Sequence, residues 1–250
     1  MLSLLGAPAD ARAAALRRYP SPTDMPPGLV FKLALALAER GDGDAAEALF
    51  RDRFFPREEG GTSVRAVFAH VRLRGAETAS QQQHCEEALR TLDSLDREVP
   101  GLEFTHGGLT DVLQPALAQR QIAAIESACA RQTQARERLT RLARAASADS
   151  GPLQVALAYD AARTLGESDI DAWRPRLTDA LAAASRTLEA GATSAPGTIQ
   201  LAQGLLFRAL GREPEAARAF VDVFKLPDRN LSYYFARSVM SSRLRPAGGR

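Results

Sequence analysis

Two stretches near opposite ends of the chain carry the same spaced pattern of small, large and turn-forming residues. Each stretch, over 29–54 and 201–224, contains two amphipathic segments joined by a short turn with a glycine and charged residues. The marked positions follow one another at intervals of three, four, five and four residues. They are Ala34, Leu37, Gly41, Ala46 and Phe50 in the first stretch, and Gly204, Phe207, Gly211, Ala216 and Phe220 in the second. Apolar residues at intervals of three and four indicate helices, so each stretch predicts two helices joined by a tight turn.

Every position of the pattern has a physical reason. The small residues Ala34 and Gly204 allow the two helices of a pair to approach closely. The glycines, Gly41 and Gly211, can adopt the left-handed backbone conformation that commonly ends a helix. The aromatic residue at the last position is expected to pack back onto the first helix or onto the next pair. Two stretches in the same register therefore predict a fold built of antiparallel helix hairpins.

This pattern resembles the tetratricopeptide repeat (TPR), whose helix pairs stack into a right-handed solenoid. Besides the two matching stretches, a partial set begins at Tyr159, Ala162 and Gly166 and then departs from the pattern. The resemblance implies an all-α fold, an α-solenoid of degenerate TPR-like antiparallel helix hairpins. The separation of 42 positions between Ala46 and Ala88 suggests units of about 40 residues against the family's roughly 34. We expect one repeat domain over residues 1–240 and a disordered tail over 241–250. A third set keeps the intervals but lacks the glycine and the aromatic: Ala76, Ala79, Gln83, Ala88 and Leu92.

Two longer phrases carry a narrower resemblance. RFFPREEGGTSVR follows the first hairpin over 53–65, and LPDRNLSYYFAR follows the last over 226–237. Both look like parts of the C-terminal helical-repeat tail of large bacterial proteins that carry a carbohydrate-enzyme-like β-sandwich of unknown function. The sandwich has no counterpart in these 250 residues, so the resemblance transfers no catalytic residue.

The composition of the chain limits which classes of partner and which cellular compartment the sequence predicts. The chain has 32 basic and 30 acidic residues and a formal charge of +2, so neither nucleic-acid binding nor a DNA-binding regulator is indicated. All but two of the basic residues, Lys32 and Lys225, are arginine, which we interpret as the mark of a high-GC genome. No apolar run is long enough to span a membrane, and the N-terminus lacks the features of a signal peptide. We therefore predict a cytoplasmic protein.

The two cysteines, Cys85 and Cys129, can form a disulfide, but a helical protein of this length does not need one. We expect two reduced thiols on packed helix faces, with the neighbouring His84 exposed. A structural zinc site takes about four ligands, and the two cysteines and three histidines are too dispersed to supply them. We predict no metal and no cofactor.

Three other groups of charged residues can be interpreted either as binding or catalytic sites or as solvated surface. Glu58 and Glu59, followed by two glycines, can meet a cation or a basic partner, but a solvated loop explains them better. Glu103 and His106 have a spacing suited to acid–base work, yet no nucleophile or pocket accompanies them. Arginines scatter along a single long helix predicted over 119–148, which indicates a solvated face or interdomain salt bridges.

These observations favour a non-catalytic protein–protein interaction or scaffold module built from TPR-like repeats, and not an enzyme. In such arrays the first helix of each hairpin lines an extended concave surface. The resemblance implies that this surface is lined by Phe31, Leu35, Glu39, Leu201, Leu205 and Arg208. The predicted partner is a protein or peptide, with no nucleic acid and no membrane; the oligomeric state is left open. The alternative is the helical tail of a larger carbohydrate-active-like protein, packing against a separate catalytic or β-sandwich domain.

Overall fold

The computed structural model of the chain describes residues 7–19, 24–51, 64–95, 115–147, 149–193, 195–226 and 231–241. Over these residues the structure has twelve α-helices and no β-strand. The helices are α1 Ala9–Arg17, α2 Pro27–Arg40, α3 Gly43–Ala48, α4 Val64–Gln81, α5 Cys85–Asp93, α6 Pro115–Ala128, α7 Gln132–Arg144, α8 Pro152–Leu165, α9 Ile170–Glu189, α10 Pro196–Ala209, α11 Glu213–Lys225 and α12 Leu231–Ser241. The predicted all-α fold class is confirmed.

The chain divides into two compact units. The first comprises Met1–Ala118 and Ala124–Gln132, and the second comprises Gln119–Ala123 and Thr133–Arg250. In the first unit α2 packs against α1, α3 and α4, and α4 packs also against α3 and α5. In the second unit α10 packs against α8, α9, α11 and α12, while α8 packs against α9 and α11 against α12. Within each unit, helices thus pack on their neighbours in the chain, as consecutive hairpins do.

Six turns between neighbouring helices close in the same way. One residue adopts the left-handed conformation, and the N–H of the next residue donates to a carbonyl five positions back, which is the Schellman motif. The left-handed residues, with φ of 60–92°, are Gly41, Gln83, Ala130, Gly166, Gly191 and Gly211. The closing hydrogen bonds are 2.8–3.3 Å long and run from Asp42 to Leu37, His84 to Ala79, Arg131 to Glu126, Glu167 to Ala162, Ala192 to Thr187 and Arg212 to Phe207. Each turn satisfies the last carbonyls of one helix, so the next helix begins within a few residues.

In the last hairpin, α10–α11, the small residue and the aromatic of the pattern fit directly against each other. Gly204 is buried, and a Cβ atom added there would lie 2.5 Å from Cε1 of Phe220. The ring of Phe220 therefore fills the space that the missing side chain leaves. About one turn further along α10, the guanidinium carbon of Arg212 lies 4.6 Å from the ring centroid of Phe207 and covers that half-buried ring.

In the first hairpin, α2–α3, the pattern is packed at the same register, with Ala34 at the position of Gly204. The small residues Ala34 and Ala46 have no exposed surface, and neither does Phe50. The Phe50 ring stacks on Phe31 of α2 with centroids 6.1 Å apart, and it meets Phe68 of α4 edge-to-face at 5.1 Å. The last aromatic therefore packs both onto its own first helix and onto the next hairpin, as the pattern predicts.

The same spacing also occurs where the turn has no glycine. In α4–α5, Gln83 takes the left-handed conformation, and Ala76 and Ala88 at the small positions have no exposed surface. A further set, hidden because alanine stands where the glycine should be, runs through α6 and α7. It consists of Ala123, Glu126, Ala130, Ala135 and Leu139, all buried except the turn residue Ala130.

One predicted element is wrong, and one predicted boundary is not tested. The single helix predicted over 119–148 is interrupted by the turn between α6 and α7, because Ala130 is left-handed. The extent of the repeat domain to residue 240 stays a prediction. Of the predicted tail over 241–250, the structure describes only Ser241, which ends α12.

We expect Gly204→Ala to lower the free energy of unfolding by about 1–3 kcal/mol, because the added methyl group must displace the packed Phe220 ring. Gly28→Ala in α2 is the matched control, since a Cβ there meets no atom within 4 Å. The control should be neutral or stabilising by up to about 1 kcal/mol, because alanine favours helix over glycine. Urea unfolding followed by circular dichroism measures both. Equal stability of the Gly204→Ala variant and the original protein would contradict this packing.

We expect Gln83→Gly to raise the free energy of unfolding by about 0.5–1 kcal/mol. A left-handed residue with a side chain carries strain of about 1–2 kcal/mol, and the added freedom of glycine in the unfolded chain offsets about 0.4–1 kcal/mol of the relief. The matched control is Gln81→Gly at the last residue of α4, which is not left-handed, so glycine there should be destabilising by up to about 1 kcal/mol. Both are measured as urea midpoints, and the same sign for the two substitutions would argue against a left-handed Gln83.

Candidate functional site

The three residues of α2 predicted to contact a partner differ in accessibility. Phe31 is 7% exposed and stacks on Phe50 in the core. The side chain of Glu39 is 3% exposed and accepts a hydrogen bond of 2.5 Å from Arg12 of α1. Leu35 is half-buried. Among these three, Leu35 is the residue best placed to meet a partner.

The three predicted residues of α10 are largely engaged within the second unit. Leu201 has no exposed surface, and Leu205 is 6% exposed. Arg208 is half-buried; its Nη2 donates to the carbonyl of Val239 in α12 at 3.4 Å, and its guanidinium lies 5.8 Å from the ring centroid of Phe220. A partner cannot reach the two leucines without opening the core. The partner-binding role of all six residues stays a prediction.

The middle of α4 carries four titratable side chains that the sequence did not indicate as buried. His70, Arg72, Arg74 and Glu77 each keep less than a tenth of their surface exposed. Buried charges are rare in proteins unless they are paired. Because α4 packs against α2, α3 and α5, helices on several sides can supply the partners.

Arg72 connects three elements of the first unit. Its guanidinium donates to both carboxylate oxygens of Glu47 in α3, at 3.0 and 3.1 Å, and to the backbone carbonyl of Ser94 after α5. The same group lies 4.6 Å from the ring centroid of Phe68. Bidentate pairing fixes the orientation of a planar guanidinium, so Arg72 ties α3 and the end of α5 to α4.

A second group of side chains, which we call the buried cluster, consists of Arg12, Glu39, His70, Arg74 and Glu77. Arg74 binds Glu77 at 2.5 Å, and Arg12 binds Glu39 at 2.5 Å. Burial lowers the pKa of His70 to about 3; the charge of Arg74 acts in the same direction, and Glu39 opposes it. The imidazole is therefore neutral at neutral pH.

The buried cluster contains the residue types of acid–base catalysis, but its charged members are held in pairs with each other. Two ion pairs and a neutral imidazole form a polar contact among α1, α2 and α4. The Arg74–Glu77 pair lies within α4, whereas Arg12–Glu39 joins α1 to α2. A shifted register between α1 and α2 would leave one of these charges buried without its partner. In the part of the chain that the structure describes, no group of three or more His, Cys, Asp or Glu residues is arranged to hold a metal ion.

The expectation of two reduced thiols is wrong. Cys85 and Cys129 form a disulfide that joins the first residue of α5 to the residue after α6, with the two Cα atoms 5.1 Å apart and 44 positions apart in sequence. A cross-link across a loop of this length stabilises the folded chain by about 2–4 kcal/mol. His84 is exposed, as predicted.

A bidentate ion pair accompanies the disulfide. Arg131, in the turn after α6, donates from both terminal nitrogens to the two carboxylate oxygens of Asp93 in α5, at 2.7 and 2.8 Å. The same two segments of the first unit are thus joined twice, once covalently and once electrostatically. The ion pair is exposed, so salt screens it and its contribution is small.

The arginines of α6 and α7 in the second unit also meet polar partners. Arg120 binds Asp160 of α8 at 2.6 Å, and Arg138 donates to the side-chain oxygen of Gln119 at 2.5 Å. Arg120 thus forms a salt bridge between α6 and α8 inside the second unit, whereas the partner of Arg138 is an uncharged amide. The predicted interdomain salt bridges stay a prediction. Arg141 and Arg144 are exposed.

Two of the weighed groupings, Glu58 with Glu59 and Glu103 with His106, lie outside the described residues. Over the residues that the structure does describe, no helix is both long enough and apolar enough to cross a membrane.

Comparison with known proteins returned no match: no protein-family model, no curated protein and no solved structure is significantly similar to this chain. The helices pack as a helical repeat would, but the family resemblance has no support beyond that packing.

The buried His70 predicts a loss of stability in acid. In the unfolded chain, His70 binds a proton below the ordinary histidine pKa of 6.5. In the folded chain, its pKa is about 3, so it binds a proton only near pH 3. The free energy of unfolding should therefore fall as the pH drops from about 6.5 towards 3, at up to about 1.4 kcal/mol per pH unit.

We expect His70→Gln to reduce the difference between urea midpoints measured at pH 7.5 and pH 4.5, because glutamine does not titrate. The exposed His84→Gln is the matched control and should keep the full difference. An acid loss that is unchanged in His70→Gln would show that His70 does not set this pH dependence.

Proposed function

We propose that the chain is a non-catalytic protein–protein interaction module, a scaffold built from TPR-like repeats that acts in a bacterial cytoplasm. The observation that best supports this is the recurrence of one turn and one packing register in successive hairpins. Such hairpins are typical of proteins that bind peptides or other domains through preformed surfaces. Binding would then need little rearrangement of the backbone.

The proposed contact surface lies along the accessible side of α2. Leu29 and Leu35 are half-buried, and Lys32 between them is exposed. Residues three apart on a helix are neighbours on its surface, and α2 is the first helix of its hairpin. Two leucines beside a lysine suit a peptide that carries an apolar side chain next to an acidic one.

The alternative, a helical tail that packs against a separate catalytic or β-sandwich domain, calls for an exposed apolar face on a terminal hairpin. Among the described residues, only Tyr19 and Val221 are exposed large hydrophobic side chains.

We expect the immobilised chain to retain a specific protein from a bacterial lysate and Leu35→Asp to lose it by at least about tenfold, because a carboxylate repels an acidic partner and removes apolar contact. Leu89→Asp in α5 is the matched control, since Leu89 is also half-buried but lies on a second helix. Quantitative mass spectrometry of the retained proteins measures the loss, and circular dichroism confirms that both variants fold.

The outcomes separate the two proposals. Equal loss of the retained protein in both variants would show that the partner does not bind specifically at α2. A folded original chain that retains no protein would favour the tail. Leu205→Asp is unsuited to this test, because a carboxylate at a position 6% exposed would unfold the second unit.

A further inference from the structure

The two cysteines of the disulfide differ in exposure to solvent. Cys85 is half-buried at the start of α5, between the exposed residues His84 and Glu86. Cys129 is 6% exposed. Thiol–disulfide exchange begins with attack by a thiolate on one sulfur, and the rate depends on access to that sulfur. An external thiol therefore meets the sulfur of Cys85 first.

The surroundings of the two sulfurs suit the thiolates that exchange would produce. Cys129 Sγ lies 3.6 Å from Oγ of Ser80, whose hydroxyl can donate to a thiolate that leaves at this position. Cys85 is the first residue of α5, and no side chain caps the free N–H groups of that helix. A helix N-terminus stabilises a thiolate; Glu86 and Glu87 in the same turn reduce this effect.

We propose that Cys85–Cys129 is an exchangeable disulfide and that Cys85 is the site at which a small external thiol, such as glutathione, forms a mixed disulfide. The thiolate of the external molecule bonds to Cys85 Sγ, the Cys85–Cys129 bond breaks, and Cys129 leaves as a thiolate. A second thiolate then attacks the external sulfur of the mixed disulfide and releases Cys85 as a thiolate. Two external thiols are oxidised to one disulfide, and their two protons go to the two cysteines.

Opening the bond would loosen α5 without releasing it. The ion pair of Arg131 with Asp93 still joins the same two segments, and α5 keeps its packing against α4. Disulfides in a reducing cytoplasm are transient and often redox-sensing, whereas those of secreted proteins persist. An exchangeable bond agrees with the predicted cytoplasmic location.

The test compares two variants of the full chain that both lack the disulfide and so share its loss of stability. Each is incubated with oxidised glutathione near neutral pH, and the adduct is followed by intact mass after acid quenching. We expect Cys129→Ser, which retains Cys85, to acquire one glutathione about tenfold or more faster than Cys85→Ser, which retains Cys129. Equal rates in folded variants, or faster reaction at Cys129, would overturn the proposal.

A second measurement decides the matter if the variants do not fold. The original chain is treated with reduced glutathione without denaturant, quenched, and digested to locate the mixed disulfide. We expect glutathione on the peptide that contains Cys85 while the circular dichroism stays that of the folded protein. A bond that resists glutathione until urea unfolds the chain would mean that the disulfide is purely structural, and the proposal would fail.

Discussion

The hairpins depend on one backbone constraint: a single residue at the end of the first helix must adopt the left-handed conformation. That residue stands seven positions after one small residue and five before the next, at Gly41 and again at Gly211. The turn therefore sets the point at which the two helices cross, and the small residues lie where the crossing is closest. At Gly204 the approach is close enough that an aromatic ring takes the place of a side chain. Without the turn, the same residues would not face each other.

The sequence pattern predicted the hairpins in which glycine marks the turn, indicated the one at Gln83 by its spacing alone, and missed the turn at Ala130. Gly41 and Gly211 can be recognised because left-handed backbone is nearly free for glycine. Gln83 and Ala130 adopt it at a cost of about 1–2 kcal/mol, which the burial of the small residues on both sides offsets. A cost met by distant packing leaves no local signal in the sequence. For this reason the chain through Ala130 was predicted as one continuous helix.

The candidate surface could be predicted only in part, because burial depends on how many neighbours a helix has. Leu35 of α2 and Leu205 of α10 hold equivalent places in the pattern, next to Ala34 and Gly204. In the first unit α2 packs against three helices, whereas in the second unit α10 packs against four. The side that stays half-open on α2 is closed on α10. Likewise, arginines on α4 suggest a solvated helix until its packing on α2, α3 and α5 is known.

The disulfide turns part of the chain into a covalent ring. Because Cys85 and Cys129 are joined across 44 positions, every peptide bond between them lies within a closed loop. A protease that cuts once anywhere between these cysteines would break the polypeptide but not divide the molecule. The disulfide would hold the two fragments together until a reductant separates them. The redox state of this one bond therefore decides whether a cut protein keeps its original mass or falls into two smaller pieces.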